Sequence, residues 1–243
     1  MDSLRLESPL LRDAGFAHGF SLRAVDLAFD AEDRAASLAR FAAAAGVDPA
    51  RIRECEQVHG GDVAFAEDVA LAPPRTKADA LVSTGSLAVG VRVADCVPIL
   101  IGDEASGAAV AVHAGWKGFV AGVLSHAVAA LRGRVGPSGR LVCAIGPAIG
   151  PCCFEVGLDV ARAIGGAAGV DLVARTAGDR AYVNLRRGVR AELARLASVP
   201  GAGPVVMEEV GGCTRCDAER YFSFRRGGER GRMLGVIAPR SAP

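Results

Sequence analysis

ALVSTGSLAVGVRVADCVPILIGDEASGAAVAVHAGWKGFV, residues Ala80 to Val120, alternates short apolar runs with turn residues and closes on a helical start. The runs Ala80–Ser83, Leu87–Val93, Val97–Ile101 and Ala108–His113 are rich in Val and Ile and bounded by Gly, Ser and Asp, which is the signature of strands. Their near-continuous apolar character predicts burial on both faces of a sheet. Pro98 holds Val97 extended and has no amide to donate to a central ladder, so a strand start or a bulge is expected there.

Working outward, Gly118 to Leu131 has helical periodicity, Leu141 to Ile145 returns to strand character, and a turn-rich GPAIGPCC follows. Helices are expected around Gly157 to Ile164 and Leu185 to Leu196, a loop at Gly165 to Gly169, and strands near Val205 to Glu209 and Arg232 to Ala238. Upstream, the Ala-rich stretch from Asp33 to Ala45 stops at Gly46, a helix C-terminal signal. With no internal repeat and no low-complexity linker, residues 1–243 read as one mixed α/β (α+β) domain with mixed sheets flanked by helices.

Composition narrows the function. Apolar residues make up 51% and charged residues 23% of the 243, an ordinary globular balance. Lys plus Arg is 28 against 27 for Asp plus Glu, so a net charge of +1 offers no field for a polyanion, and nucleic acid is not an expected partner. No apolar run reaches the roughly 18 residues of a membrane span, and the first twenty residues lack a signal-peptide core. Seven scattered cysteines in a chain of this length read as reduced thiols, which points to the cytoplasm.

Two of the four histidines sit in dense clusters of unusual residues. His59 lies in Gln57-Val58-His59-Gly60, where the glycine marks a turn, and His113 ends a strand and opens Ala114-Gly115-Trp116-Lys117-Gly118. A strand-to-helix junction of this kind faces the crevice where α/β proteins bind ligands. Cys96 lies in Ala94-Asp95-Cys96-Val97-Pro98 between two strands. Two imidazoles and a thiolate suit a divalent metal, zinc first, with a fourth position open for chemistry. The spacings, from 59 to 96 and from 96 to 113, match no short metal motif, and a buried structural Cys with hydrogen-bonded histidines is the alternative that spacing leaves open.

QVHG (57–60), ADCVPIL (94–100), HAGWKG (113–118), IGPAIGPCCFEV (145–156) and the stretch from Cys213 through YFSFRR to Met233 occur in the order of a known family. In these motifs the chain resembles the laccase-domain, or polyphenol oxidase (YfiH-like), family, regarded as zinc-dependent purine nucleoside phosphorylases. The resemblance covers residues 57 to 238. It implies a mixed α/β fold, one zinc per chain on His59, Cys96 and His113, and purine nucleosides with phosphate as small-molecule partners. The implied activities are phosphorolysis of adenosine, inosine, guanosine and S-methyl-5′-thioadenosine, with deamination of adenosine in addition. The N-terminal region departs from the family: Phe20-Ser21-Leu22-Arg23 is present, but Ala24-Val25-Asp26-Leu27 stands where a Gly-Gly-Val-Ser segment is expected, and the loop is shortened.

Within that frame Asp95, Glu155 and Lys117 are the candidate catalytic groups, with Asp95 orienting a metal ligand, carrying a proton or equally serving as a strand-terminal hydrogen-bonding residue, and Glu155 similarly divided. Arg23, Trp116 and Arg225 are the candidate substrate and phosphate contacts, Trp116 reading equally as core packing. Amides at the helix following Gly118 add an anion site. Cys143, Cys152 and Cys153 are expected to be buried or structural thiols. Cys213-Thr214-Arg215-Cys216 is a lone C-x-x-C that would need ligands from elsewhere to hold a second zinc. The rival functions are a copper-dependent polyphenol oxidase, for which four histidines are too few to build a multinuclear centre, a hydrolase with Cys96 as nucleophile and His59 or His113 as base, and a metal-stabilised binding protein without turnover.

Overall fold

The structure is a computed structural model that describes residues 4–70, 76–136 and 139–240. Of the four predicted apolar strands, Leu87–Val93 joins a second sheet, whereas Ala80–Ser83, Val97–Ile101 and Ala108–His113 lie together in a six-stranded mixed sheet. Its members are β4 (Val63–Phe65), β5 (Ala80–Ser83), β7 (Val97–Asp103), β8 (Ala109–Ala114), β9 (Leu141–Ile145) and β13 (Val205–Glu209), in the order β13-β9-β7-β8-β5-β4. The outer pairs β13–β9 and β4–β5 are parallel and the inner ones antiparallel. Against one face packs a five-stranded sheet in the order β1-β2-β14-β6-β3, made of β1 (Arg5–Leu6), β2 (His18–Ser21), β3 (Ile52–Arg53), β6 (Ala88–Val93) and β14 (Met233–Ile237).

The alternation of side chains along a strand explains why these runs are apolar throughout. Val97, Ile99 and Ile101 of β7 face a helical layer with Val110, Val112 and Ala114 of β8. Leu100 of β7, with Ala109 and Ala111 of β8, faces the other sheet and meets Phe16, Phe20, Val89 and Val91. Every residue of β7 and β8 is buried. Burying each large aliphatic side chain contributes about 1.5–3 kcal/mol, so the sheet interior is where the sequence commits most of its apolar surface.

The helical layer holds α3 (Trp116–Val120), α4 (Val123–Val135) and α6 (Leu185–Ala197), with α5 (Leu158–Ala168) packed on α6. A three-stranded antiparallel sheet, β10 (Glu155–Gly157), β12 (Arg180–Val183) and β11 (Val173–Ala177), in the order β10-β12-β11, lies beside it. The remaining helices are α1 (Pro9–Asp13) and α2 (Arg34–Ala45), which ends on Gly46 in the left-handed conformation at φ 69° as expected.

Three expectations are corrected. Periodicity from Gly118 to Leu131 joins two helices that the structure separates: the chain breaks at Ala121–Gly122, where Gly122 has φ 78°. Gly165 to Ala168 is helical, not a loop, because α5 buries Ile164 and Ala168 and is capped by Gly169 at φ 69°. Tertiary burial there outweighs the low intrinsic preference of two glycines for a helix. Gly157 caps that helix while also ending β10, so strand material begins at Glu155. The hairpin of β11 and β12 was missed because its outward residues are polar and exposed, leaving Gly178-Asp179 as the one local signal.

Candidate metal centre

His59, Cys96 and His113 come from three separate parts of the chain, and their ligand atoms lie within 4.8 Å of one another. His113, one residue before the end of β8, lies on the sheet-facing side, by the alternation that buries Ala109 and Ala111, and is 3% exposed. Cys96 sits in the gap between β6 and β7, where Asp95 at φ 90° turns the chain. His59 has φ 60° in the turn after Gln57. Left-handed conformations in two non-glycine residues cost of order 1–3 kcal/mol each and persist where surrounding contacts hold them.

Those contacts are specific. The Gln57 side chain pairs with the backbone of Arg92 on β6, its amide donating to the carbonyl at 2.8 Å and its oxygen accepting from the amide at 2.8 Å. The buried Asp79 carboxylate then accepts from the amides of Val58 (3.1 Å), His59 (2.9 Å) and Gly60 (2.7 Å). The same carboxylate meets His113 Nδ1 at 2.7 Å, and His113 N donates to the Asp79 carbonyl at 2.8 Å. A carboxylate only accepts, so His113 carries its proton on Nδ1 and presents Nε2 to the centre.

Electrostatics follow from this geometry. Burial opposes the Cys96 thiolate, but His113 and then His59 beside it hold the thiol well below its ordinary value. Against the same burial, the Cys96 thiolate and Asp79 raise His113. Burial also works against an ionised Asp79, yet His113 and the amides of Gly60 and His59 keep it below the usual carboxylate range. The thiolate is the ligating form of cysteine, and a soft sulfur with two imidazoles is a donor set for zinc or copper. The residues therefore fit a metal bound by three protein ligands.

The HAGWKG motif has a packing explanation. A Cβ on Gly115 would stand 2.8 Å from His59 Cδ2 and 3.1 Å from Cys96 Sγ, and one on Gly118 would stand 2.8 Å from the Gly60 carbonyl oxygen. Only glycine lets the 59–60 turn lie against α3 this closely.

The three ligands open on a cavity of about 600 Å³, within the range of small-molecule sites. Trp116, Lys117, Asp95, Phe154, Phe224 and Arg225 are among its walls, together with Arg92 and Arg232. Arg92 and Arg232 are tied to backbone carbonyls, whereas Lys117 carries no ion pair among the described residues. Trp116 both lines the cavity and packs on the core.

Other sequence candidates fall elsewhere. Arg23 is not a wall residue; it pairs with Glu229 at 3.0 Å, stacks 4.6 Å from the Phe222 ring and secures the 221–229 segment. The Glu155 carboxylate is outside the cavity and engaged by Arg180 (3.0 Å) and the Tyr182 hydroxyl (2.5 Å). Asp95 accepts from Thr214 Oγ1 at 2.6 Å and from Arg225 N at 2.7 Å, so it braces a loop while Asp79 orients the histidine. Asp79 and Gln57 escaped the sequence reading because an isolated Asp-Ala pair and a Gln before Val carry no local signature. Gly118 lies inside the short α3, and the longer α4 that follows starts at Val123 away from the cavity walls, which leaves anion binding to side chains rather than to a long helix terminus. Of the remaining histidines, His18 is buried against Ser8 and Phe16, and His126 bonds the Gly61 carbonyl. Only two imidazoles reach the centre, too few for a multinuclear copper cluster.

A family model described as multi-copper polyphenol oxidoreductase laccase matches residues 12–240. Purine nucleoside phosphorylase SCO2081 of Streptomyces coelicolor is 38% identical over 193 residues, 79% of this chain and 76% of that protein. A protein named adenosine deaminase RL5, from an unknown prokaryotic organism, is 37% identical over 152 residues, 61% of this chain and 56% of its own length. The crystal structure of YlmD from Geobacillus stearothermophilus superposes with a TM-score of 0.81 at 26% identity, covering 98% of this chain and 100% of that one.

Proposed function

The chain belongs to the multi-copper polyphenol oxidoreductase laccase family, and from that premise we propose that it is a purine nucleoside phosphorylase with one zinc on His59, Cys96 and His113. The observation that carries this reading is the convergence of those three side chains at the edge of a cavity that also holds cationic and aromatic groups. The relative named a purine nucleoside phosphorylase, at 38% identity, supports the reaction class, and the one named an adenosine deaminase supports deamination as a companion activity.

Phosphorolysis needs an anion held beside the glycosidic carbon and a departing purine that is stabilised. Lys117 and Arg225 supply charge for phosphate. Trp116, Phe154 and Phe224 offer apolar surface for the base. Asp79 keeps His113 in the tautomer that ligates and fixes the His59 turn. Zinc, when bound with one position open, supplies Lewis acidity toward a purine substituent or a water. Among the described residues Asp95 is the one carboxylate in the cavity walls and the candidate for moving a proton.

Incubation with adenosine, inosine, guanosine and S-methyl-5′-thioadenosine, with and without phosphate, tests this. Free base together with a pentose 1-phosphate, only when phosphate is present, is the expected product pair. Base release that ignores phosphate would sink the phosphorylase reading. A second reading has one observation in its favour, the Cys96–His113–Asp79 series, which resembles a thiolate nucleophile with its base and orienting acid. It requires turnover that survives chelation and covalent trapping of Cys96.

A further inference from the structure

A second cluster of metal-type side chains lies outside the cavity. Cys152, Cys153, Cys213 and Cys216 bring their four sulfur atoms within 4.8 Å of one another. Cys216 Sγ stands 3.5 Å from Cys152 Sγ and 3.4 Å from Cys153 Sγ, and none of the four is in a disulfide. Two sulfurs sharing a tetrahedral zinc at about 2.3 Å each stand roughly 3.8 Å apart, so the spacing already matches a tetrathiolate. The lone C-x-x-C lacked partners in sequence; the fold supplies them from the turn that follows Pro151. Cys152 is exposed and Cys153 half-buried, so neither of these two, expected as buried or structural thiols, is a buried one.

We propose that Cys152, Cys153, Cys213 and Cys216 hold a second zinc ion, structural rather than catalytic. Four sulfurs with no open position are the donor set of a structural zinc site. The site is built as such centres are: Gly150 N donates to Cys213 Sγ at 3.1 Å, as backbone amides do to bound thiolates. A Cβ at Gly150 would stand 3.1 Å from Cys213 Cβ and 3.2 Å from Cys152 Sγ, so a side chain there would crowd the sulfurs.

The fold also has a need that the ion meets. From Val210 to Arg232, between β13 and β14, the chain forms neither helix nor strand, an unusually long irregular connection for a compact protein. Zinc on the four cysteines clips that segment to the 150–153 turn and removes closure entropy from a long loop. Between Cys213 and Cys216, Thr214 donates to Asp95, whose other oxygen receives the amide of Arg225. The clip therefore stiffens the wall that carries Asp95, Phe154, Phe224 and Arg225, without touching the ligands at His59, Cys96 and His113.

Metal analysis of the full chain, produced with added zinc and kept reduced, tests the assignment. The wild type should hold two zinc ions per chain, Cys213→Ser/Cys216→Ser one, and Cys96→Ala/His113→Ala one. Cobalt gives a readout independent of activity: thiolate-to-cobalt charge transfer should reflect four sulfurs at this cluster against one at Cys96, and should persist in Cys96→Ala/His113→Ala. If the double serine variant does not fold, the wild type still decides, because protection of the four thiols from alkylation should vanish on chelation. A wild type with one metal per chain and four freely alkylated cysteines would overturn the proposal. So would disulfides among them in the reduced preparation, or iron in place of zinc.

Discussion

Asp79 and His113 meet at 2.7 Å, carboxylate oxygen to Nδ1, and the same carboxylate gathers the amides of Val58, His59 and Gly60. One buried acid thus sets the orientation of two of the three side chains of the centre, although it does not line the cavity. Asp79→Asn keeps the shape but must aim an amide NH₂ at donors in either flip. Metal affinity at the centre should fall about 10- to 100-fold, read by chelator competition, while the four-cysteine cluster keeps its ion. An unchanged affinity would remove Asp79 from this role.

His59→Ala, Cys96→Ala and His113→Ala should each lose metal from this centre and nucleoside turnover together, because three ligands with an open position leave none to spare. Metal content and base release measured on the same preparations check it. Full turnover by a triple variant without metal at the centre would contradict the account.

Gly115→Ala separates geometry from stability. Its new methyl would press on His59 and Cys96, and displacement of a reacting geometry by about 1 Å costs on the order of 100-fold in rate. Overpacking should destabilise by about 1–3 kcal/mol. Gly133→Ala, in α4 with nothing within 4 Å of the added carbon, is the control and should stabilise by roughly 0.5–1 kcal/mol. Denaturant midpoints of the two variants should therefore move in opposite senses, while activity should fall only in Gly115→Ala.

Lys117→Ala should raise the KM for phosphate more than that for nucleoside, since Lys117 is a cavity cation with no ion pair among the described residues. Arg23→Ala, whose guanidinium holds Glu229 and Phe222 outside the cavity, should leave the phosphate KM close to wild type. Steady-state kinetics in both substrates distinguish them; a selective phosphate defect in Arg23→Ala would relocate the anion site.

His18 gives a pH signature unrelated to the metal. Buried between β1 and β14, it donates from Nδ1 to the Phe16 carbonyl and accepts at Nε2 from Ser8 N, both at 2.8 Å. Burial lowers its pKa, so the folded state prefers the neutral ring. Its contribution is fully present above the free-imidazole value of about 6.5 and is lost as pH falls through that value toward the lowered folded one, because the unfolded chain then binds the extra proton. His18→Gln cannot titrate, and its drop in Tm between pH 7.5 and 5.5 should be smaller than that of the wild type.

Much of the fold was legible because it rests on local periodicity. The runs Val97–Ile101 and Ala108–His113 are buried at every position, as strands covered on two faces must be, and they became the middle of the larger sheet, while Leu87–Val93 went to the five-stranded one. Edges were less readable. The β11–β12 hairpin is polar outward, and the break at Gly122 interrupts a pattern that otherwise continues. Among the chemistry-bearing residues, His59, Cys96 and His113 stood out by rarity and motif, and the structure brings them together.

The sequence by itself determined the central strands and most of the helices, which family they make, and which three side chains are the candidate ligands, since periodicity, residue rarity and motif order are properties of the chain read in line. Only the tertiary structure decided that Asp79 rather than Asp95 holds His113, that Arg23 and Glu155 stand apart from the cavity, and that a Cys-Cys turn meets a distant C-x-x-C. Those are contacts between residues that share no spacing rule, and they come into being only when the sheets close and bring the segments within hydrogen-bonding distance.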